Sequence, residues 1–382
     1  MTRWIASDEA LQRLGVRPQT LYAYVSRGRL RAQPDPRDPR RSLYSASDVD
    51  GLASRRSRSR KASVVAAEAI AWGEPVLESA ITTVVDGRLF YRGNDAAFLA
   101  ETQTFEGVAR LLRGLDAPPL QSRLRPPPPS GEQPRARLFA SFSARAACDP
   151  PASGRSEYDL AVEAATLLDI AADAVCGQVE SGPIHERLGR AWSCGARGAD
   201  LIRRALVLLA DHELNASTFA ARVSASTGAS LAASVLAGLS VLTGPLHGGA
   251  SEAVGRLAAE AETLGAREAV AARLAFWTST PGFGHPLYPE GDPRARALMK
   301  AFAPPQPYAE LREAMADADG APGNVDFAIS AMARSLALPA DAPFILFAVA
   351  RTAGWLAHAM EQLATGALIR PRARYVGPPP EI

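Results

Sequence analysis

Apolar residues recur with helical spacing over most of the second half of the chain. From about residue 156 to residue 364 the sequence is rich in alanine and leucine, and its apolar positions follow the period of an α-helix. Turn-forming residues interrupt this pattern at 242–249, 279–293, 303–308 and 319–324. The pattern predicts a mainly α body whose chemically useful side chains lie at or beside these loops.

Shorter elements are predicted nearer the N-terminus. Ser7 can cap a helix that runs through Leu14, because its hydroxyl can satisfy free backbone N–H groups. Residues 17–28 predict a second short helix, which an arginine-rich loop between two strand-like pieces follows. Two short helices across a tight turn are the helix-turn-helix arrangement. Further on, Asp86 and Gly87 predict the turn of a small β-hairpin.

Charge is distributed unevenly along the chain. The formal net charge of +2 combines a basic head with an acidic body. Residues 1–62 hold 14 Lys+Arg against 6 Asp+Glu, a net +8, and the remaining 28 against 34 leave residues 63–382 at −6. A basic head suggests an anionic partner for that part alone. We therefore predict a small domain at 1–50, a basic linker at 51–75 and a separate body at 76–378.

Composition narrows the class of protein. A chain of 382 residues favours two or three domains. No run of about eighteen apolar residues suggests a membrane span, and the polar N-terminus lacks the apolar core of a signal peptide, so we expect a cytoplasmic protein. Cys148, Cys176 and Cys194 have neither disulfide-framework nor metal-ligand spacing. We expect buried thiols and no metal site.

The basic head has candidate DNA-contacting residues. In a helix-turn-helix the second helix presents its N-terminal side chains to the bases, while arginines contact phosphate. The segment LGVRPQTLYAYVSRG, the arginine-rich wing and LYSASDV resemble the winged helix-turn-helix of MerR-type regulators and excisionases. The alternative is a small interaction domain with a solvated surface. The candidates are Arg17, Gln19, Thr20, Tyr22 and Arg27.

Three of the five histidines have unusual surroundings. They are His212 in ADHELNAST, His247 in TGPLHGGASEAV and His285 in GFGHPLY. His185 and His358 have ordinary helical surroundings, and any single histidine is more often structural than catalytic. The first three are therefore candidates because of the motifs around them.

A proton-transfer site can be assembled from these motifs. His247 precedes a predicted helix, whose positive N-terminal end disfavours protonation, so a neutral imidazole that donates a hydrogen bond is expected. Asp326 in GNVDFAIS is a candidate carboxylate base, although it also suits a helix cap. Arg294, Arg351 and Arg370 can bind carboxylates through their planar guanidinium groups. Together these residues predict a site that removes a proton from carbon and binds a small polycarboxylate.

The body resembles citrate synthases. The resemblance rests on FYRGND with TFEGVARLL, DHELNAST, GPLHGGASEAV, PGFGHPLYPEGDPRA, NVDF, and FAVARTAGWLAHAMEQL with IRPRARYVG, in the family's order. It implies a mainly helical homodimer with a large domain and a small domain, the latter inserted at about 220–335. It also implies an acyltransferase that joins oxaloacetate to acetyl-CoA, or propionyl-CoA, without a metal or cofactor.

The resemblance also implies roles for individual residues. Asp326 matches the base that takes a proton from the acyl-CoA, and His247 the donor to the resulting enolate. His285 matches the histidine that polarises the oxaloacetate ketone. The matched ligands of the oxaloacetate carboxylates are His212, Arg294, Arg351 and, from the neighbouring subunit, Arg370.

The sequence departs from the family on the CoA side. Pro286 and Pro289 stand where the family carries basic residues near CoA, and the segment 295–323 is short. The oxaloacetate side matches throughout. Because of the basic head and this weaker CoA side, an alternative function remains open: a DNA-binding transcriptional regulator whose body senses a metabolite.

Overall fold

The computed structural model of the protein describes two compact units, Met1–Glu78 and Ser79–Ile382. The described residues are 4–14, 20–21, 24–25, 30–35, 38–50, 77–118, 124–131, 133–276, 280–318, 320–373 and 375–378. The predicted linker at 51–75 lies outside them. The predicted domain bounds, including the inserted small domain, remain predictions.

The N-terminal unit contains a three-stranded antiparallel sheet. Its elements are β1 (Trp4–Ala6), α1 (Ser7–Leu14), β2 (Ala32–Asp35) and β3 (Asp38–Ser45), with the strand order β1-β3-β2. The predicted helix from Ser7 to Leu14 is confirmed. A small core forms where Ile5, Leu14 and Tyr44 are buried together.

The helix-turn-helix remains a prediction. Among its candidate DNA-contacting residues, Thr20 has helical backbone, whereas Arg17, Gln19, Tyr22 and Arg27 lie outside the described residues. Arg31 forms a two-pronged ion pair with Asp48, in which its Nε and a terminal nitrogen each lie 2.8 Å from a carboxylate oxygen. That arginine therefore ties the start of β2 to the residues after β3.

The second unit is mainly helical, as the apolar spacing predicts. It begins with a small sheet of β4 (Thr82–Val85), β5 (Arg88–Tyr91) and β6 (Asn94–Asp95). Its helices are α2 (Ala96–Thr102), α3 (Phe105–Arg113), α4 (Pro134–Cys148), α5 (Glu157–Cys176), α6 (Ile184–Ala191), α7 (Gly195–Leu209), α8 (Ala216–Ser226), α9 (Leu231–Leu242), α10 (Ala250–Leu264), α11 (Ala266–Phe276), α12 (Pro293–Met299), α13 (Tyr308–Ala318), α14 (Val325–Ser335) and α15 (Ala342–Thr365).

The predicted hairpin is confirmed between β4 and β5. Asp86 and Gly87 form its turn, and both have positive φ angles, 50° and 67°. That backbone matches the twist of the two strands. The hairpin places the fully buried Tyr91 against the end of α7, where its hydroxyl lies 3.1 Å from the carbonyl oxygens of Val207 and Leu208.

Helix α15 runs through the core of the second unit. It packs against α3, α5, α7, α8 and α9, and an apolar surface on all sides is what a helix in this position requires. Its Trp355 is fully buried beside Gly238, where an added Cβ would lie 2.7 Å from the indole ring. The close approach of α9 to α15 therefore requires glycine at that position.

Two expectations about composition can be compared with the structure. The prediction of three buried thiols is wrong for Cys148, which is exposed, and Cys176 and Cys194 are half-buried. The burial of each cysteine depends on which side of its helix faces the core. Helical spacing alone does not show this. Within the described ranges, the helices lack the length and apolar character that crossing a membrane requires.

Candidate active site

Hydrogen bonds between two distant loops position His285. The backbone N–H of Gly284 donates to Pro322 O at 2.8 Å, and the N–H of Asn324 donates to Gly282 O at the same distance. Gly282 and Gly284 have φ angles of +82° and +69°, which residues with side chains adopt at a cost. The loop that carries His285 is thereby joined to the start of α14, which carries Asp326.

His212 lies just after the C-terminal end of α7. The preceding residue, Asp211, is fully buried and bonds His358 Nε2 at 3.2 Å. Gly354 of α15 approaches so closely that a Cβ there would lie 2.3 Å from Asp211 Oδ1. His358, which the sequence places among structural histidines, thus fixes the segment that presents His212.

A cluster of rings joins the two loops. His212 and His285 meet edge to face, with ring centroids 5.2 Å apart. Tyr288 contacts both rings, and its hydroxyl lies 2.8 Å from His212 Nε2. Burial and the charges of Arg294 and Arg351 hold the pKa of His212 well below its ordinary value. His212 is therefore neutral at physiological pH.

His285 is also neutral, and its hydrogen bond identifies the protonated nitrogen. Burial, followed by the charge of Arg294, lowers its pKa to about 4. Its Nδ1 accepts a hydrogen bond from the backbone N–H of Leu287 at 3.2 Å. A neutral imidazole carries one N–H, so the proton lies on Nε2. His285 can therefore donate a hydrogen bond from Nε2.

His247 lies three residues before α10, as its motif predicts. Burial, with a smaller contribution from Arg351, lowers its pKa to about 4, so this histidine is neutral as expected. Its Nε2 lies 2.8 Å from the hydroxyl of Ser217, at the start of α8. The same hydroxyl accepts a hydrogen bond from the indole N–H of Trp355 at 3.1 Å.

Asp326 lies in the first turn of α14, but Asn324 caps that helix. The Asn324 side chain accepts the backbone N–H groups of Asp326 and Phe327. The Asp326 carboxylate instead accepts a hydrogen bond from the Ser251 hydroxyl at 2.7 Å. Burial raises the pKa of Asp326, and this bond partly opposes the rise. The capping role weighed for Asp326 thus belongs to Asn324.

Two buried arginines supply positive charge. Arg294 lies in the first turn of α12, and its Nε and one terminal nitrogen bond Asp292 at 3.0 and 2.8 Å. Arg351 in α15 is 1% exposed and donates from Nε to Leu209 O at 3.0 Å. Among the described residues, its terminal nitrogens have no hydrogen-bonded partner. Burial lowers the pKa of Arg351 to about 10, so it remains charged.

The structure brings six of the seven matched residues close enough to affect one another. Arg294 and Arg351 both lower the pKa of Asp326, and His285 and His247 both lower that of His212. Arg370 is different: it follows α15 and is exposed. Its proposed role needs a second subunit. On the CoA side, Pro286 and Pro289 are both exposed.

Hydroxyl groups are the functional residues that sequence reasoning missed. Ser217 bonds His247, Ser251 bonds Asp326, and Tyr288 bonds His212. Ser217, Ser251 and Tyr288 lie in the motifs quoted for His212, His247 and His285, but each bonds a residue of a different motif. Position within those motifs was the available signal, but the partners lie 30, 75 and 76 residues away along the chain.

Arg294 also lines a cavity that extends away from the three candidate histidines. It has a volume of ≈ 280 Å³ and is lined by α2, α12 and β5, including Arg88, Glu101 and Lys300. None of the three candidate histidines lines it. In the described part of the chain, no group of three or more His, Cys, Asp or Glu residues is arranged to hold a metal ion.

Comparison with known proteins identifies the family. The sequence profile described as "Citrate synthase, C-terminal domain" matches residues 70–372, well over half of the chain. The chain belongs to the citrate synthase family. Citrate synthases need no cofactor and use acetyl-CoA as a substrate, in agreement with the expectation from the motifs.

Individual relatives are similar over part of their length. Citrate synthase 2 of Bacillus subtilis is 38% identical over 190 residues, which are 47% of this chain and 51% of that protein. 2-Methylcitrate synthase 2 of Corynebacterium glutamicum is 35% identical over 192 residues, 46% of this chain and 48% of that one. The chain spans about half the length of the curated relatives it matches.

A solved structure shows the same fold over a longer stretch. The citrate synthase from Thermotoga maritima is 27% identical, with a TM-score of 0.66, and the match covers 80% of this chain and 94% of that one. The mainly helical citrate synthase fold expected from the motifs is therefore confirmed for the second unit.

Proposed function

We propose that the citrate synthase body joins oxaloacetate to an acyl-CoA thioester, acetyl-CoA or propionyl-CoA, and releases CoA. One observation carries the proposal: a carboxylate, Asp326, shares a partly buried site with two neutral imidazoles, His247 and His285, and two arginines. Proton removal from a weakly acidic carbon needs a base and donors aimed at the developing oxyanion. Asp326 and the two imidazoles are groups of the kinds that this step requires.

Oxaloacetate binds through its two carboxylates. The terminal nitrogens of Arg351, which bond no other described residue, and the remaining donors of Arg294 suit a planar two-pronged contact with a carboxylate. His212 adds a neutral donor beside them. Arg370 completes the set from the partner of a homodimer, since it is exposed on its own chain.

Enolate formation is the first chemical step. Asp326 takes a proton from the carbon next to the thioester carbonyl, and His247 donates a hydrogen bond to the oxygen that becomes negative. Ser217 has one proton and two acceptors within reach, Asn215 Oδ1 and His247 Nε2, both at 2.8 Å. Asn215 Oδ1 already accepts two backbone N–H groups. We therefore infer that the Ser217 hydroxyl donates a hydrogen bond to His247 Nε2, so that the single hydrogen of this neutral imidazole lies on Nδ1 and can be donated to the enolate.

Carbon–carbon bond formation follows. The enolate carbon attacks the ketone carbon of oxaloacetate, and the ketone oxygen becomes an alkoxide. The Nε2–H group of His285 donates to this oxygen, and one such donor contributes about 3 kcal/mol to the transition state. Hydrolysis of the resulting thioester gives the carboxylate product and CoA.

The proposal includes both acetyl and propionyl as the acyl group. Relatives of both kinds are similar to the chain, and one methylene changes the preference of an enzyme by only about 1–3 kcal/mol. Both thioesters therefore belong in the same assay.

Release of the CoA thiol tests the function. Purified protein is mixed with oxaloacetate and each thioester, and the thiol is followed with a chromogenic reagent. We expect release that Asp326→Asn reduces by at least a hundredfold, because the amide cannot accept the proton. Asp317→Asn is the matched control, since Asp317 lies on α13 and pairs with Arg267. Equal rates for wild type and Asp326→Asn would refute the assignment.

A second candidate function concerns the N-terminal unit. The net charge of +8 over residues 1–62 favours binding to DNA, and a regulator whose body senses a metabolite is the corresponding whole-protein function. An electrophoretic shift with promoter DNA over rising salt tests it, with and without oxaloacetate. Absence of a shift at low salt would remove this candidate.

A further inference from the structure

The hydroxyl of Tyr288 is buried with a single partner. Tyr288 is 1% exposed. Among the described residues, Nε2 of His212, at 2.8 Å, is the one group that its Oη bonds. Among these residues, the phenol O–H therefore has one available hydrogen-bond acceptor, the Nε2 atom of His212.

This arrangement determines which nitrogen of His212 is protonated. If His212 Nε2 carried the hydrogen, it would donate to the phenol oxygen, and the phenol hydrogen would be buried without an acceptor. If the phenol donates instead, both groups are satisfied. Because His212 is neutral, its single hydrogen then lies on Nδ1. Nδ1 has no partner in the described part of the chain and is not sealed from solvent.

We propose that Tyr288 is a positioning residue that holds His212 in the Nδ1–H form, so that His212 presents a hydrogen-bond donor to oxaloacetate. The proposal rests on the proposed function for its ligand, but its tautomer can be measured without any reaction. Tyr288 would act through His212 and would not itself touch the substrate.

The ring of Tyr288 is a separate contribution from its hydroxyl. Its centroid lies 4.9 Å from that of His285 and 5.6 Å from that of His212, and the Arg294 guanidinium carbon lies 5.5 Å from it. Tyr288→Phe keeps these contacts and removes the hydrogen-bond donor alone. The variant therefore distinguishes the hydroxyl from the packing.

Nitrogen NMR measures the tautomer directly. Protein with ¹⁵N-labelled histidine has five imidazoles, and a His212→Asn sample assigns the signals of His212. We expect a protonated Nδ1 and an unprotonated Nε2 in the wild type, and an increased Nε2–H population in Tyr288→Phe. An Nε2–H wild type, or the same tautomer distribution in both proteins, would overturn the proposal.

Oxaloacetate binding gives the functional measurement. We expect Tyr288→Phe to weaken the calorimetric Kd for oxaloacetate, and its KM, by about tenfold, with the KM for the thioester within twofold of wild type. Tyr308→Phe is the matched control, because its buried hydroxyl bonds Ser330 at 2.8 Å instead of a histidine. Equal weakening by both variants, or unchanged oxaloacetate binding in Tyr288→Phe, would contradict the positioning role.

The two hypotheses fail in distinguishable ways. A wild type that releases no CoA refutes the proposed function but leaves the tautomer measurement valid. A wild type that is active, with a tautomer that Tyr288→Phe does not change, refutes the positioning role alone.

Discussion

The Ser251 hydroxyl lowers the pKa of the proposed base, Asp326, and its removal should change that pKa in a predictable direction. Ser251 is 1% exposed and donates to Asp326 Oδ1 at 2.7 Å, which stabilises the ionised carboxylate and lowers a pKa that burial raises. Ser251→Ala removes the donor without adding bulk. The pKa of Asp326 must therefore rise further.

The size of the expected pKa shift follows from the kind of hydrogen bond that Ser251→Ala removes. A hydrogen bond to a charged group contributes about 1.5–3 kcal/mol, and about 1.4 kcal/mol moves a titration midpoint by one pH unit. Since water can replace part of a lost bond in a half-buried site, we take the lower end of that range. The acidic limb of kcat/KM should move to higher pH by about one unit.

The assay is the pH dependence of CoA release. At a pH below the wild-type midpoint, Ser251→Ala should be about tenfold slower, because a tenfold smaller fraction of Asp326 is ionised. Well above the new midpoint its rate should approach that of the wild type. Ser234→Ala is the matched control, since Ser234 is equally buried and its hydroxyl bonds, among the described residues, the backbone carbonyl of Ser230 alone. A limb that stays in place or moves to lower pH would refute the reasoning.

Two further predictions concern stability. Gly354→Ala should lower the free energy of unfolding by about 1–3 kcal/mol, because its Cβ would lie 2.3 Å from Asp211 Oδ1; Gly255→Ala, whose nearest atom lies at 3.9 Å, should not lower it in the same denaturant titration. Asp326→Asn should raise Tm at pH 7, since burial penalises the carboxylate that it replaces. Because the folded-state pKa is raised, that penalty is absent below the unfolded value of about 3.9 and appears as pH rises. A Tm gain at pH 3.5 as large as that at pH 7 would contradict this cause.

The sequence was sufficient for the fold class, and it named candidate residues that the structure brings close together. His247 and His285 lie in loops that interrupt the helical pattern, and the structure places His212 beside them. The motif around Asp326 was ambiguous between a cap and a base. The structure shows that Asn324 caps the helix, because its side chain accepts hydrogen bonds from the backbone N–H groups of Asp326 and Phe327.

Long-range packing was not available from the sequence. Whether a serine donates to a base or to solvent depends on which helix faces it, and local periodicity contains no such information. The same limit explains the error at Cys148, whose helix exposes it. It also explains His358, an unremarkable histidine in sequence, which bonds the buried Asp211 beside the proposed oxaloacetate ligands.

Burial and two arginines act on the protonation states of both the imidazoles and Asp326. Burial disfavours the charged form of each imidazole and of Asp326, but the positive charges of Arg294 and Arg351 act in opposite senses on the two kinds of group. They disfavour protonation of His212 and favour ionisation of Asp326. One pair of cations thus supports neutral donors and an anionic base at the same pH.

Because Arg294 and Arg351 act on both the histidines and Asp326, some substitutions in the site are more informative than others. Replacing either arginine would weaken carboxylate binding and would also shift the pKa values of the histidines and of Asp326. A loss of activity could then not be assigned to binding or to proton transfer. Removing the hydroxyl of Ser251 or Tyr288 leaves both positive charges in place and changes a single hydrogen bond. Substitution of Ser251 or Tyr288 therefore reports more specifically on Asp326 or His212 than substitution of either arginine does.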